Sequence, residues 1–253
     1  MRLALKFAYD GRGFAGYARQ PGQRTVEQTL LDILIGQGIF SDAKSSCFRT
    51  ASRTDHGVSA LGNVCAFDTT LSKEMVFSTL MKGKGSSELF IYGIQNVLST
   101  FYPRHAKRRE YRYYLRNTGL NVDKVLSAAA LFTGEHNFQN FARVEPLKNP
   151  VRVLENIVIS EKNDFLILDF YAQTFLWNQI RRIVSALKKA GEGILTENII
   201  KNALLHPEKK VDFQLVPPEP LILINVVYEF SFEYQKEYKR KLQHFEKRIL
   251  GVF

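Results

Sequence analysis

The feature that most constrains this sequence is its repeated switching between two apolar periods. Leu3, Leu5, Phe7 and Tyr9 fall on one face and Lys6 on the other, the period-two pattern of a half-buried strand. After a Gly-rich loop from Asp10 to Gly16, Thr25 is placed to cap a helix, with Gln28 three residues on and Val26, Leu30, Ile33 and Leu34 at helical spacing. Strands are predicted over Asn63 to Phe67 and Leu89 to Val97, with a helix between them opening at Ser72 and closing before Gly83. A second set follows: a strand near Tyr111 to Leu115, a helix near Val122 to Phe132, and strands around Val151 to Ile159 and Phe165 to Ala172. Leu176, Ile180, Ile183, Val184 and Leu187 make an apolar stripe on a longer helix ending near Gly191, and Thr196 starts another. A Pro-rich stretch, Val216 to Pro220, precedes a strand from Leu221 to Phe230, and Tyr234 to Leu250 reads as a basic, partly exposed helix. Such alternation packs helices on sheets, and 253 residues hold two such assemblies. The expected class is α+β, as a domain over residues 1–100 and another over 101–253, joined near residues 98 to 105.

Charge narrows the partners. With 35 Lys and Arg against 25 Asp and Glu, the net charge is +10, which favours a polyanion, nucleic acid first. Cys47 and Cys65 are too few for a disulfide framework and lack the spacing of a zinc site, so no metal is expected and the chain reads as intracellular. No segment approaches the roughly 20 apolar residues of a membrane span, and the N-terminus has no long apolar stretch behind its charge; the expected location is the cytoplasm.

Chemistry concentrates in Ser52-Arg53-Thr54-Asp55-His56-Gly57-Val58-Ser59-Ala60-Leu61-Gly62, a polar loop between apolar segments. A guanidinium close to a carboxylate favours the ionised, reactive form, and Gly57 and Gly62 permit tight turns. Taken alone, an Arg-x-Asp pair in a loop is more often a turn with a salt bridge. Its surroundings alter that balance. Arg53-Thr54-Asp55-x-Gly57-Val58-x-Ala60 resembles the central motif of the tRNA pseudouridine synthase A (TruA) family, and the resemblance runs along nearly the whole chain. Tyr9-Asp10-Gly11, Phe14-Ala15-Gly16, Gln20 and Thr25-Val26-Glu27 resemble that family's opening strand, loop and first helix. Phe101-Tyr102-Pro103-Arg104 and Arg109-Glu110-Tyr111-Arg112-Tyr113 resemble the start of its second domain. Gly134-Glu135-His136-Asn137-Phe138 with Phe141, and Ala172-Gln173-Thr174-Phe175-Leu176 with Arg181, follow in the family's order. The chain departs from the pattern at Ser52, at Trp177-Asn178-Gln179 and at Pro220, while Asp55, Arg53, Tyr111 and Arg181 are in place.

The resemblance implies two RRM-like or ferredoxin-like α+β halves whose sheets join around a central basic catalytic cleft, a homodimer, and uridines of the tRNA anticodon arm, in the region of tRNA positions 38–40, as targets. It implies that Asp55 is the essential aspartate, that Arg53 helps displace the target nucleotide, that Tyr111 packs on the uracil, that Arg181 pairs with the aspartate, and that Leu221 contacts the base. Arg104 and Arg109 belong to a segment that interleaves basic and aromatic residues, which suits phosphate contact with stacking. If that segment is a strand, Arg109, Tyr111 and Tyr113 share one side and Arg112 takes the other.

Pseudouridine formation breaks an N1–C1′ bond and rejoins the base through C5, so it calls for a carboxylate near C1′ and C6 and needs no cofactor. Asp55 can attack C6, attack C1′ or remove the 2′ proton, and the sequence leaves all three open. Two rivals remain: a non-catalytic RNA-binding protein on the same fold, and a nucleoside hydrolase, which needs a second carboxylate, for which Asp10 is the motif-like candidate. His56 reads as a surface or RNA-contacting residue, His136 as a structural hydrogen-bonding group, and the loop Asp10 to Gly16 as a turn or RNA-facing loop, since it lacks the Lys-Ser/Thr of a P-loop.

Overall fold

The structure, a computed structural model, describes residues 1–82, 87–234 and 236–251. In chain order the elements are β1 (Arg2–Tyr9), α1 (Val26–Gly36), β2 (Arg49–Thr50), β3 (Ser59–Asp68), α2 (Lys73–Lys82), β4 (Leu89–Val97), β5 (Arg108–Arg116), α3 (Val122–Ala130) and β6 (Gly134–Asn137). They continue with β7 (Val151–Leu154), β8 (Asn156–Lys162), β9 (Phe165–Ala172), α4 (Gln179–Gly191), α5 (Glu197–Leu205), β10 (Leu221–Val227), β11 (Glu233–Tyr234) and α6 (Lys236–Leu250). The mixture is α+β, and the described residues divide into two compact units: those of 1–107 with 222–251, and those of 108–221. The division by chain order at residue 100 follows sequence; the compact units follow contact, and the last strands and helix pack with the first unit.

In the first unit β1 lies between β3 and β4, antiparallel to both, so that β3, α2 and β4 form a split β-α-β unit around it. β10 adds parallel to β3 with Ile222 opposite Ser59, and β11 adds antiparallel to β4. The half-buried strand expected over residues 3–9 is instead buried at every position. Both its faces are covered: Lys6, on the face expected to meet water, is 8% exposed, its ammonium lying 5.4 Å over the Phe232 ring and donating to Asn225 Oδ1. That is the amphipathic solution for a lysine, with the apolar stem packed and the charge satisfied. Thr25 caps α1 as expected, its hydroxyl accepting from Gln28 N at 3.3 Å, but Gln28 turns its amide to Asp32 and leaves the capping box half made. The helix buries Val26, Leu30, Leu31 and Leu34; Leu31 takes the place expected of Ile33. Gly62 lies within β3, not at a turn: a Cβ there would come 2.7 Å from Ile224 O, so glycine is needed for β10 to approach.

The second unit is built on β5, β9 and β8, all antiparallel, with Arg109 opposite Ala172 and Tyr111 opposite Phe170. Burial alternates along β5, with Arg109, Tyr111 and Tyr113 on the buried face and Arg112 on the other, where it forms a bidentate pair with Asp169. The stretch expected as a strand from Val151 to Ile159 is two strands, β7 pairing with β6 and β8 with β9. The helix with the Ile180, Ile183, Val184, Leu187 stripe begins later than its pattern, at Gln179, because Asn178 is left-handed (φ 63°) and Gln179 Oε1 accepts from Leu176 N at 2.8 Å. Leu176 thus precedes the helix. Phe132, Phe138, Phe141, Phe170 and Phe213 fill the core, with Phe141 stacked on Phe213 at 4.3 Å.

Candidate active site

The pairing of β1 with β3 sets the first half of the site. Tyr9, at the end of β1, lies opposite Ala60, at the start of β3, so the loop leaving one strand lies beside the loop entering the other. The register between them shifts between Phe7 and Tyr9, the kind of bulge that re-aims a strand end. The Arg53-Thr54-Asp55 loop is braced on three sides. Tyr9 OH is 2.8 Å from Thr54 Oγ1, the fully buried Asn63 donates to Ser52 O at 3.0 Å, and Ala51 N donates to Val64 O at 2.8 Å. Gly11 N donates to Ser59 Oγ at 3.0 Å, and a Cβ on Gly11 would lie 2.1 Å from Val58 O, so the 10–16 loop packs backbone to backbone against the far side. Val58 N donates to Asp55 O at 3.2 Å across a turn in which Gly57 has φ 84°, a left-handed position that favours glycine. Asp55 opens that turn half-buried, with Arg53 and His56 exposed on either side.

The loop from Asp10 is a support. Asp10 caps a short 3-10 turn, accepting from Arg12 N, and its two oxygens accept from Arg12 Nε at 2.8 Å and Nη2 at 2.6 Å. Burial pushes the Asp10 carboxyl up, but the Arg12 hydrogen bonds and charge outweigh it and hold it below the ordinary carboxylate range. His136 sits as expected, its Nε2 3.1 Å from Thr133 O.

The other sequence candidates lie in the second unit. Tyr111 is 8% exposed on β5 and meets the edge of Phe175 at 5.3 Å. Arg109 is buried on the same face and donates to Gln173 O. Arg181, in the first turn of α4, is half-buried; its Nε donates to Val216 O at 2.9 Å and its Nη1 to Asn178 Oδ1 at 3.2 Å. Its neighbour Arg182 pairs with Asp212 at 2.7 Å. Leu221 is buried at the start of β10, its N–H donating to Pro218 O. Within the first unit the structure brings Arg53 and Arg104 together on one cavity. Sequence reading missed Thr54, Ser59 and Asn63, the groups that hold the loop; the interruption of an apolar strand by Asn63 was the available signal, since a polar side chain there needs a partner.

Among the described residues no group of three or more His, Cys, Asp or Glu is arranged to hold a metal, and no helix is long and apolar enough to cross a membrane.

A tRNA pseudouridine synthase family profile matches residues 128–229. A Thermococcus sibiricus protein described as tRNA pseudouridine synthase A is 42% identical over 232 residues, covering 90% of this chain and 85% of its own. A Pyrococcus abyssi protein of the same description is 38% identical over 262 residues, covering 100% of this chain and 97% of its own. A solved Cbf5-Nop10-Gar1 complex contains a chain with TM-score 0.38 and 14% identity, over 72% of this chain and 44% of that one.

Proposed function

The chain belongs to the tRNA pseudouridine synthase A family, and on that premise we propose that Asp55 is the carboxylate that reacts with the uridine, within the anticodon arm. The protein is an isomerase that converts uridine to pseudouridine in tRNA. The observation that supports Asp55 is the bracing of its loop: buried side chains and two strand ends fix the backbone, while the carboxylate itself sits half-buried at the head of a turn. Fixed geometry of that kind is what a reacting group needs and a surface salt bridge does not.

In this reading the uridine leaves its stack, at a cost of a few kcal/mol, and Arg53 offsets part of that by meeting phosphate or filling the vacancy. Tyr111 supplies a face for the uracil and Arg181 the cation that favours the aspartate anion, roles supported by the motif match. In the same reading Leu221 contacts the base, and Arg104 and Arg109 contact the RNA. Asp55 acts by attack at C6, attack at C1′ or removal of the 2′ proton. The hydrolase alternative loses its second carboxylate: Asp10 is bound on both oxygens by Arg12 and held below the ordinary range, the reverse of a general acid. The family likeness also supports a homodimer working in the cytoplasm, which sedimentation of the purified protein tests for the dimer.

Incubation with unmodified tRNA transcripts, followed by nucleoside analysis and site mapping, tests the reading. The expected product is pseudouridine at anticodon-arm uridines with no free uracil; free base would point to hydrolysis, and modification elsewhere would move the target.

A further inference from the structure

The basic charge of this protein is unevenly matched. Along the segment from Arg104 to Arg116, dense in cations by sequence, carboxylates answer several of them: Glu229 lies 3.2 Å from Lys107, Glu110 2.6 Å from Arg108 and Asp169 2.7 Å from Arg112. In the first unit a cavity of about 410 Å³ gathers the cations Arg19, Lys44, Arg49, Arg53 and Arg104. Its one acidic lining residue is Glu27, 3.9 Å from Arg19 Nε. Lys44 and Arg53 have no ion pair among the described residues, and the Arg49 guanidinium donates to Phe48 O. Converging cations repel one another and do not help the fold; a polyanion is what makes such an arrangement favourable. The arrangement is also held in shape. Asp42 accepts from Lys44 N at 2.8 Å and Ser45 N at 2.9 Å, and β2 is fixed on β3 with Arg49 opposite Ala66. Tyr102 lines the same cavity, an aromatic ring of the type on which a base stacks.

We propose that this cavity binds successive phosphodiesters of the tRNA strand that carries the target uridine, with Arg19, Lys44 and Arg49 as contacts additional to Arg53. The placement follows from the chain: Arg53 precedes Asp55 by two residues, so their Cα atoms are within about 7 Å, and phosphate held beside Arg53 belongs to nucleotides flanking the one at Asp55. The cavity is too large for one phosphate and too strongly cationic for an apolar or neutral ligand. This inference rests on the reading of Asp55 as the reacting group.

The test is the double variant Lys44→Ala/Arg49→Ala, both exposed in the wild type, with Lys162→Ala/Lys201→Ala in the second unit as a control of equal charge loss. tRNA affinity, KM and kcat are measured between about 0.05 and 0.2 M salt. Removing two phosphate contacts makes the slope of log affinity against log salt shallower by about 1.4 to 1.8, so the deficit relative to wild type at the lowest salt exceeds that at the highest by roughly tenfold. KM should rise by more than kcat falls, Lys44→Arg/Arg49→Lys should restore binding, and the control should match wild type. An unchanged slope and KM, a loss confined to kcat, or a control that loses as much as the pocket variant would each overturn the proposal. Failure of the wild type to form pseudouridine would count against the role of Asp55 instead, while the binding isotherms still report on the cavity.

Discussion

At the scale of single residues, Asp55 and Asp10 are two carboxylates in one neighbourhood with opposite employment. Asp55→Asn keeps the size and shape of the side chain and removes the anion; since its loop is braced through Tyr9, Thr54, Ser52 and Asn63, folding and tRNA binding should persist while pseudouridine formation falls by at least about a hundredfold. Single-turnover assay of the variant beside a thermal melt checks this, and substantial residual turnover would remove Asp55 from its role. Asp10 serves the fold. Its carboxyl is depressed in the folded state, so the stability it supplies is fully present above the ordinary value of 3.8 and is lost as pH falls through the lower folded value. Asp10→Asn, which removes the charge from the two hydrogen bonds to Arg12, should therefore cost on the order of 1 kcal/mol at neutral pH, with the difference from wild type shrinking in acid; melts from pH 7 down to about 2 read it directly.

At the scale of elements, two glycines make opposite predictions. Gly11 is needed because the loop after β1 and the turn before β3 touch through backbone: a Cβ would lie 2.1 Å from Val58 O, against atoms that cannot rotate away. Gly11→Ala should destabilise by roughly 1–3 kcal/mol and lower turnover, because relief of the clash moves the turn that carries Asp55. Gly36 ends α1 with nothing within 4 Å of an added Cβ and no left-handed backbone, so Gly36→Ala should raise the melting temperature, by roughly 0.5 kcal/mol of stability, with turnover unchanged. Denaturant midpoints of the two variants decide the matter, and equal effects would refute the backbone-contact account. β1 carries the matching lesson about patterns. Alternation correctly announced a strand, but Lys6 showed a polar face where the structure has a covered one, since Phe232 and Asn225 arrive from the far end of the chain.

At the scale of the whole molecule, the net charge of +10 sets how tRNA is held. If roughly six phosphates are neutralised, affinity should fall by about a thousandfold or more between 50 and 200 mM salt. Tyr111→Ala should leave that slope alone and reduce turnover, because Tyr111 is buried against Phe175 on β5 and carries no charge. Binding isotherms across salt with parallel rate measurements separate the two, and a wild-type affinity indifferent to salt would defeat electrostatic docking. The cations nearest Tyr111 in sequence are poor candidates for most of that slope. Lys107, Arg108 and Arg112 already face carboxylates, whereas the cavity by Arg53 collects cations from distant parts of the chain.

The sequence by itself determined the class of fold, most strands and helices, the Thr25 cap and the motif around Asp55, because each depends on local periodicity, capping chemistry or contiguous spacing. Element ends were harder: α4 starts at Gln179 because a left-handed Asn178 and a side-chain hydrogen bond to Leu176 stop the helix, which an apolar stripe does not record. What only the tertiary structure decided is which distant groups meet. Asn63 holding the loop of Asp55, Gly11 against Val58, Gly62 against Ile224, and Arg19, Lys44, Arg49, Arg53 and Arg104 on one cavity are separated along the chain and joined by strand pairing. Charge density along a sequence counts cations without their partners, and it is the partners, fixed by packing at long range, that settle which cations remain for a ligand.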